Sequence, residues 1–127
     1  MDTKVSLYVP YCFRQFQGFS VRDLKEFPST EVMEIHLESN EDRLRCCGVC
    51  GNRLGKIKDR YRVRARHLRV FNWLVTVCFF REKRHCSTCG KVRSEFIEWI
   101  CPTSPHMTVE LAWWVNRMTE VTSVLAV

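Results

Sequence analysis

The strongest constraint on this chain is a pair of Cys-x-x-Cys-Gly units, at Cys47–Gly51 and Cys86–Gly90. Structural zinc takes four ligands at the corners of a tetrahedron, and thiolate is a favoured ligand. A two-residue spacer lets a tight turn direct both sulfurs of a pair toward one ion, and the following glycine avoids a Cβ clash as the backbone turns. We therefore predict a zinc ribbon with one structural Zn²⁺, held by Cys47, Cys50, Cys86 and Cys89.

The cysteine pattern leaves alternatives open. Cys46 offers a Cys-x-x-x-Cys spacing to Cys50, and we favour Cys47 because it reproduces the second unit. A thioredoxin-like redox site would need one pair in a βαβ context, which neither pair has, and iron is a lesser alternative to zinc. The N-terminus lacks a secretory signal, so we expect a cytoplasmic protein, in which disulfides are rare. The cysteines predicted to be small buried apolar residues are Cys12, Cys78 and Cys101.

Positive charge is concentrated between the two cysteine units. Residues 51–93 contain thirteen Lys and Arg against two acids, whereas the rest of the chain contains seven bases and twelve acids. Such segregation favours a polyanionic partner over a merely solvated surface. The candidate phosphate contacts are Arg60, Arg62, Arg64, Arg66, Arg69, Arg81, Lys83 and Arg84.

Alternating patterns predict the strands. Residues 32–38 and 60–66 alternate apolar and polar side chains, and residues 73–80 are rich in β-branched and aromatic residues. In residues 60–66 the arginines lie on one face of the predicted strand, and Tyr61, Val63 and Ala65 lie on the other. The aperiodic aromatic residues near the N-terminus are interpreted as core residues: Tyr8, Tyr11, Phe13, Phe16 and Phe19.

The C-terminal part is predicted to be helical. Cys101–Pro105 is interpreted as a linker, and an amphipathic stripe follows, with Ser104 or Thr108 as the candidate cap. The stripe residues are Leu111, Trp114, Val115 and Met118. A second short helical segment is predicted near Thr122 or Ser123. We expect an α+β chain with an N-terminal element (1–45), a zinc-ribbon DNA-binding domain (46–101), and a linker with an incomplete helix-turn-helix (102–127).

Each Cys-x-x-Cys-Gly unit forms a cysteine knuckle in a zinc ribbon. The order of knuckle, basic strand, knuckle and helix resembles the N-terminal zinc finger of ISL-three-type insertion-sequence transposases. The resemblance rests on Cys47–Gly51, the arginine-rich 61–70, His85–Gly90 and the helix-turn-helix-like 107–127, and it covers roughly residues 30–127. It implies a DNA-binding part that positions a transposase on element ends, with a homo-oligomer or the full-length transposase as a possible partner. In that family a DDE-type catalytic domain follows. This chain ends before the recognition helix and has no counterpart of the catalytic carboxylates, so we expect a truncated, non-enzymatic fragment.

Two other classes of function are weighed beside DNA binding. The ribbon is alternatively a protein-interaction or assembly module, in which Trp113, Trp114 and the helical stripe await a partner. A nuclease is the least favoured reading, because the sequence shows no spaced carboxylates for metal-ion catalysis and no recognisable nucleophile motif.

Overall fold

The computed structural model describes residues 16–126, with side chains described as far as Glu120. These described residues form one five-stranded sheet and one helix. The strands are β1 (Phe19–Phe27), β2 (Val32–Ser39), β3 (Ile57–Arg66), β4 (Leu74–Cys86) and β5 (Lys91–Ser94), and the helix is α1 (Val109–Ala126). The predicted α+β class fits this architecture.

The sheet is mixed rather than purely antiparallel. Its order is β1-β2-β4-β3, and β5 pairs with the distal part of β4. The pairs β1–β2, β3–β4 and β4–β5 are antiparallel, but β2 runs parallel to β4. The strands within the predicted ribbon are therefore antiparallel, and the parallel pair joins β2 of the N-terminal element to β4. Local alternation defines a strand but not its direction relative to a distant neighbour, so no pattern in the sequence predicted this parallel pair.

The sheet crosses the predicted boundary between residues 45 and 46. The parallel pairing joins Val32 to Leu74 and His36 to Cys78. The N-terminal element and the arginine-rich hairpin thus share one hydrogen-bonded sheet. The three-part domain division stays a prediction, but its first two parts are continuous in structure.

One face of the sheet carries the main core. The three predicted strands correspond to β2, β3 and β4, although β4 begins one residue later and ends six residues later than predicted, and their inward residues follow the expected two-residue period. Val63 and Ala65 are buried, whereas the arginines between them are exposed. Four aromatic residues complete this core, with ring centroids 4.9–5.4 Å apart in edge-to-face pairs: Phe16, Phe19, Phe79 and Trp99. Phe16 and Phe19 therefore have their predicted core role, while Tyr8, Tyr11, Phe13 and Cys12 lie outside the described residues.

The helix begins at a cap that the sequence predicted. The Oγ1 of Thr108 accepts the backbone N–H of Leu111 at 3.3 Å, and the carbonyl of Thr108 accepts the N–H of Ala112 at 3.0 Å. The helix then continues to Ala126 without a break, so the prediction of a second helical segment near residue 122 is wrong. In the part of the chain that the structure describes, this helix does not meet the length and apolarity that a membrane span requires.

Candidate metal centre and basic face

Backbone pairing beyond the ends of β3 and β4 brings the two cysteine knuckles together. The N–H of Gly55 donates to the carbonyl of His85 at 2.8 Å, and the N–H of His85 donates to the carbonyl of Lys56 at 3.0 Å. A side-chain hydrogen bond also joins the two knuckles, in which Nδ2 of Asn52 donates to Oγ1 of Thr88 at 3.1 Å. The hairpin thus places two Cys-x-x-Cys pairs that are separated by 35 residues in sequence at one end of the sheet.

The four predicted cysteines meet at that end. Their sulfur atoms all lie within 4.8 Å of one another, so Cys47, Cys50, Cys86 and Cys89 can hold a metal ion. The Sγ atoms of Cys47 and Cys89 are 3.9 Å apart, and those of Cys50 and Cys86 are 3.5 Å apart. A tetrahedron with metal–sulfur bonds of about 2.3 Å has sulfur–sulfur edges of about 3.8 Å. The donor set and its spacing therefore fit a single four-coordinate ion.

The two knuckles have the same turn geometry. In each, the N–H of the trailing glycine donates to the carbonyl of the first cysteine, at 3.0 Å for Gly51 and 2.8 Å for Gly90. These glycines have φ angles of 77° and 70°. A Cβ at either position would meet nothing within 4 Å, so the glycine is required by its left-handed backbone and not by lack of space. The prediction that a Cβ would clash at these two positions is therefore wrong.

The knuckles supply part of the electrostatic environment that thiolates need. The backbone amides of Cys50 and Val49 face the sulfur of Cys47 and lower the pKa of this thiol to about 6. Burial raises the pKa of the Cys89 thiol to about 11. Four thiolates at these distances repel one another, so their common deprotonation requires a bound cation. The site is thus suited to a metal ion rather than to four free thiolates.

Among the described residues, the other cysteines, Cys46, Cys78 and Cys101, lie outside the group of four. Cys46 is half-buried and its carbonyl accepts the N–H of Phe96, so the structure brings Cys47 and not Cys46 to the sulfur cluster. Cys78 is buried in β4, as predicted, whereas Cys101 is only half-buried, and its sulfur lies 3.5 Å from Oγ1 of Thr103.

A buried carboxylate joins the knuckles to the main core. Glu95 is fully buried, and one of its oxygens accepts a hydrogen bond from the guanidinium of Arg43 while the other accepts the N–H of Glu82 at 2.7 Å. Arg43 also lies over the ring of Phe19, with its Cζ 4.5 Å from the ring centroid. The backbone of Glu95 forms a bridge with Cys47. No pattern in the irregular segment around Glu95 signals this role in the sequence.

The predicted arginine face forms on β3. Arg60, Arg62, Arg64 and Arg66 are all exposed, and their alternation with buried residues places them on the outer side of the sheet. Two of the four have partners: Nη2 of Arg64 donates to Oε2 of Glu34 at 2.7 Å, and the guanidinium of Arg60 lies over the ring of Phe80. Arg69 is exposed in the connection that follows β3.

The remaining predicted phosphate contacts lie elsewhere. Arg81 points to the core side, where its Nε and Nη2 both donate to the carbonyl of Glu95 at 3.0 and 2.7 Å. Lys83 lies on that side too, with its Nζ 5.3 Å from the centroid of the Tyr61 ring. Arg84 binds Glu82 and the carbonyl of Gly55. The structure therefore separates a four-arginine face from basic residues that are engaged in internal contacts.

The outer face also has a polar cavity that was not predicted from the sequence. It has a volume of about 510 Å³ and is lined by residues of β1, β2, β3 and β4 and of the segment after β2. Arg22, Lys25 and Arg45 add positive charge to Arg60 and Arg62 there, and Phe80 forms part of its wall. Strict alternation along β4 places Cys78 and Phe80 on this face, but the local charge pattern does not show that β1 contributes to it.

A second group of potential ligand atoms lies nearby. Atoms of Glu34, His36 and Cys78 lie within 4.8 Å of one another. The carboxylate is already hydrogen-bonded to Arg64 and to Nε2 of His36, and these bonds hold the pKa of Glu34 below its usual value. Burial raises the pKa of the Cys78 thiol. This group is therefore an internally satisfied polar cluster whose thiol is kept protonated.

Comparison of the chain with protein-family models, with curated proteins and with solved structures finds no match.

Proposed function

We propose that this chain is a zinc-stabilised DNA-binding module, of the kind that positions an insertion-sequence transposase on its element ends. The observation that carries the proposal is the outer face of β3, where four guanidiniums are exposed side by side. Guanidinium groups bind phosphate oxygens in a fixed fork geometry. Such contacts orient a protein on a duplex without reading its sequence, so preference for element ends requires further contacts.

Zinc is the proposed occupant of the four-cysteine site. Four thiolates in a tetrahedron are typical of structural zinc, and a closed set of four ligands leaves no open position for catalysis. In this proposal the ion fixes the two knuckles, and the knuckles fix the end of the β3–β4 hairpin that presents the arginines.

The test is a salt titration of DNA binding. Each phosphate neutralised contributes about 0.9 to the slope of log affinity against log salt concentration. For the double variant Arg62→Ala/Arg64→Ala, we expect weaker binding to every duplex and a slope flatter by about 2. Fluorescence anisotropy with labelled duplexes of element-end and scrambled sequence measures both quantities.

A charge-matched control separates this face from general electrostatics. The double variant Lys91→Ala/Arg117→Ala removes the same charge from exposed residues on β5 and α1. We expect this control to leave the slope nearly unchanged. Equal losses in the two double variants, or no loss in either, would show that the arginine face is a solvated surface.

An assembly module is the second candidate, and one observation favours it. Trp113, Trp114 and Val115 on α1 are 62%, 49% and 40% exposed. Exposed apolar residues grouped on one element are typical of interaction sites. Sedimentation at micromolar concentration tests this candidate: self-association that Trp113→Gln/Trp114→Gln abolishes would support it, and a monomer at every concentration would count against a homo-oligomer.

A further inference from the structure

Phe80 is an aromatic side chain in the middle of the arginine face. It lies on β4, where its cross-strand neighbour is Arg62, and it is 49% exposed. The guanidinium of Arg60 lies over the ring, with its Cζ 4.8 Å from the centroid. Nucleic-acid bases stack on exposed aromatic rings, and a neighbouring arginine adds a cation–π contribution to such stacking.

The cavity beside Phe80 has the size and polarity of a site for a charged, planar ligand. Its volume of about 510 Å³ lies within the range of about 300–1,000 Å³ typical of ligand pockets. Cations line it from several elements, including Arg22 and Lys25 of β1 and Arg45 after β2. Three carboxylates also line the cavity: Glu82 is paired with Arg45, whereas Glu38 and Glu41 are placed to accept hydrogen bonds from base N–H groups.

These features favour an unpaired base over a base pair. In a duplex the bases stack on each other, so an aromatic side chain reaches their faces only when a base is unpaired. We propose that this cavity binds a nucleobase of single-stranded DNA, stacked on Phe80, while the neighbouring arginines bind the flanking phosphates. The proposal rests on the proposed DNA-binding function and extends it to single strands.

The experiment compares three ligands of equal length: a deoxythymidine 12-mer, the same sugar–phosphate strand without bases, and a 12-base-pair duplex. For the wild-type protein we expect the 12-mer to bind more tightly than the abasic strand. Removing one stacking partner by alanine substitution costs about 5- to 160-fold in affinity. Phe80→Ala should therefore weaken binding of the 12-mer by this factor and leave the abasic strand and the duplex nearly unchanged.

Two variants control for effects on the fold. Phe80→Trp keeps a stacking surface and should retain the binding of the 12-mer. Phe96→Ala removes a phenylalanine of similar exposure, 48%, that lies outside this cavity, and it should leave binding to all three ligands unchanged.

The outcomes distinguish failure of the base-stacking site from failure of DNA binding itself. If the wild-type protein binds none of the three ligands, the proposed DNA-binding function fails and this inference fails with it. If it binds the duplex but binds the 12-mer and the abasic strand equally well, or if Phe80→Ala weakens all three ligands alike, the base-stacking site is overturned while DNA binding stands. Because the wild-type comparison of 12-mer with abasic strand needs no variant, the proposal remains testable even if Phe80→Ala does not fold.

Discussion

The two buried clusters among the described residues differ in composition. The main core contains four aromatic rings in edge-to-face contact together with the aliphatic residues of the central strands. The knuckle cluster consists of Cys47, Leu54 and Cys86, with Cys89 packed against it. Burial of one large apolar side chain stabilises a fold by about 1.5–3 kcal/mol, and the knuckle cluster has a single such residue, Leu54.

The difference indicates where a metal ion is needed. The main core can be maintained by apolar burial, whereas the knuckle end has too little buried apolar surface to fix two tight turns. A structural ion supplies that stability because its binding free energy adds to the folding free energy. We therefore expect the knuckle end to depend on metal and the aromatic core to be largely independent of it.

The largest expected effect comes from removing a metal ligand. Cys86→Ser replaces a fully buried thiolate ligand with a hydroxyl that coordinates zinc poorly. We expect wild-type protein to contain one zinc ion per chain and the variant to contain none, as measured by native mass spectrometry. Retention of one tightly bound ion in the variant would contradict the four-cysteine site.

Cysteines outside the cluster provide matched controls. Cys101→Ser should keep the ion, because Cys101 is not one of the four clustered cysteines. Cys46→Ser compared with Cys47→Ser tests the register of the first knuckle: the structure predicts that only the Cys47 change releases metal. The opposite result would show that Cys46 is the ligand.

The next largest effect is expected at the junction between the two regions. Glu95→Ala leaves the guanidinium of Arg43 without its partner, and the side chain of Arg43 is only 7% exposed. Breaking a buried ion pair from one side costs about 3–5 kcal/mol. Chemical denaturation should show this loss of unfolding free energy. As a control, Glu98→Ala at a nearby exposed position should change the unfolding free energy by less than about 0.5 kcal/mol. A small loss in Glu95→Ala would show that the two regions are not joined through this carboxylate.

A smaller effect is expected at the helix cap, on the side of the aromatic core. Thr108 is fully buried, and its Oγ1 accepts the N–H of Leu111 and lies 2.9 Å from Nδ1 of His67. Thr108→Ala should lower the free energy of unfolding by about 1 kcal/mol without changing the zinc content. Thr108→Ser keeps the hydroxyl and should lose less. If Thr108→Ala released zinc, the two regions would not be stabilised separately.

The cysteine cluster and the arginine face were the most predictable features, and for local reasons. The Cys-x-x-Cys-Gly spacing defines each knuckle within five residues, and strict alternation from Arg60 to Arg66 assigns the side of each residue. Both expectations depend on contacts close in sequence. The position of the Thr108 cap was predictable in the same way.

Features that depend on long-range pairing were not predictable. The parallel contact between β2 and β4 brings Arg22 and Lys25 to the arginine face, and no local pattern signals it. Arg81 was counted with the phosphate contacts because of its charge, yet it donates to the carbonyl of Glu95 on the core side. Charge along the sequence does not show which cations have internal partners.

The most direct test of the expected metal dependence is residue-resolved amide hydrogen exchange, measured before and after treatment with a metal chelator. Exchange reports local opening separately for each part of the fold. We expect protection to be lost at residues 46–55 and 85–91, while the amides of Val75, Val77 and Phe79 in the main core remain protected. Unchanged protection at the knuckles would contradict a structural metal ion there, and equal loss along the whole chain would contradict the separate stabilisation of the two regions.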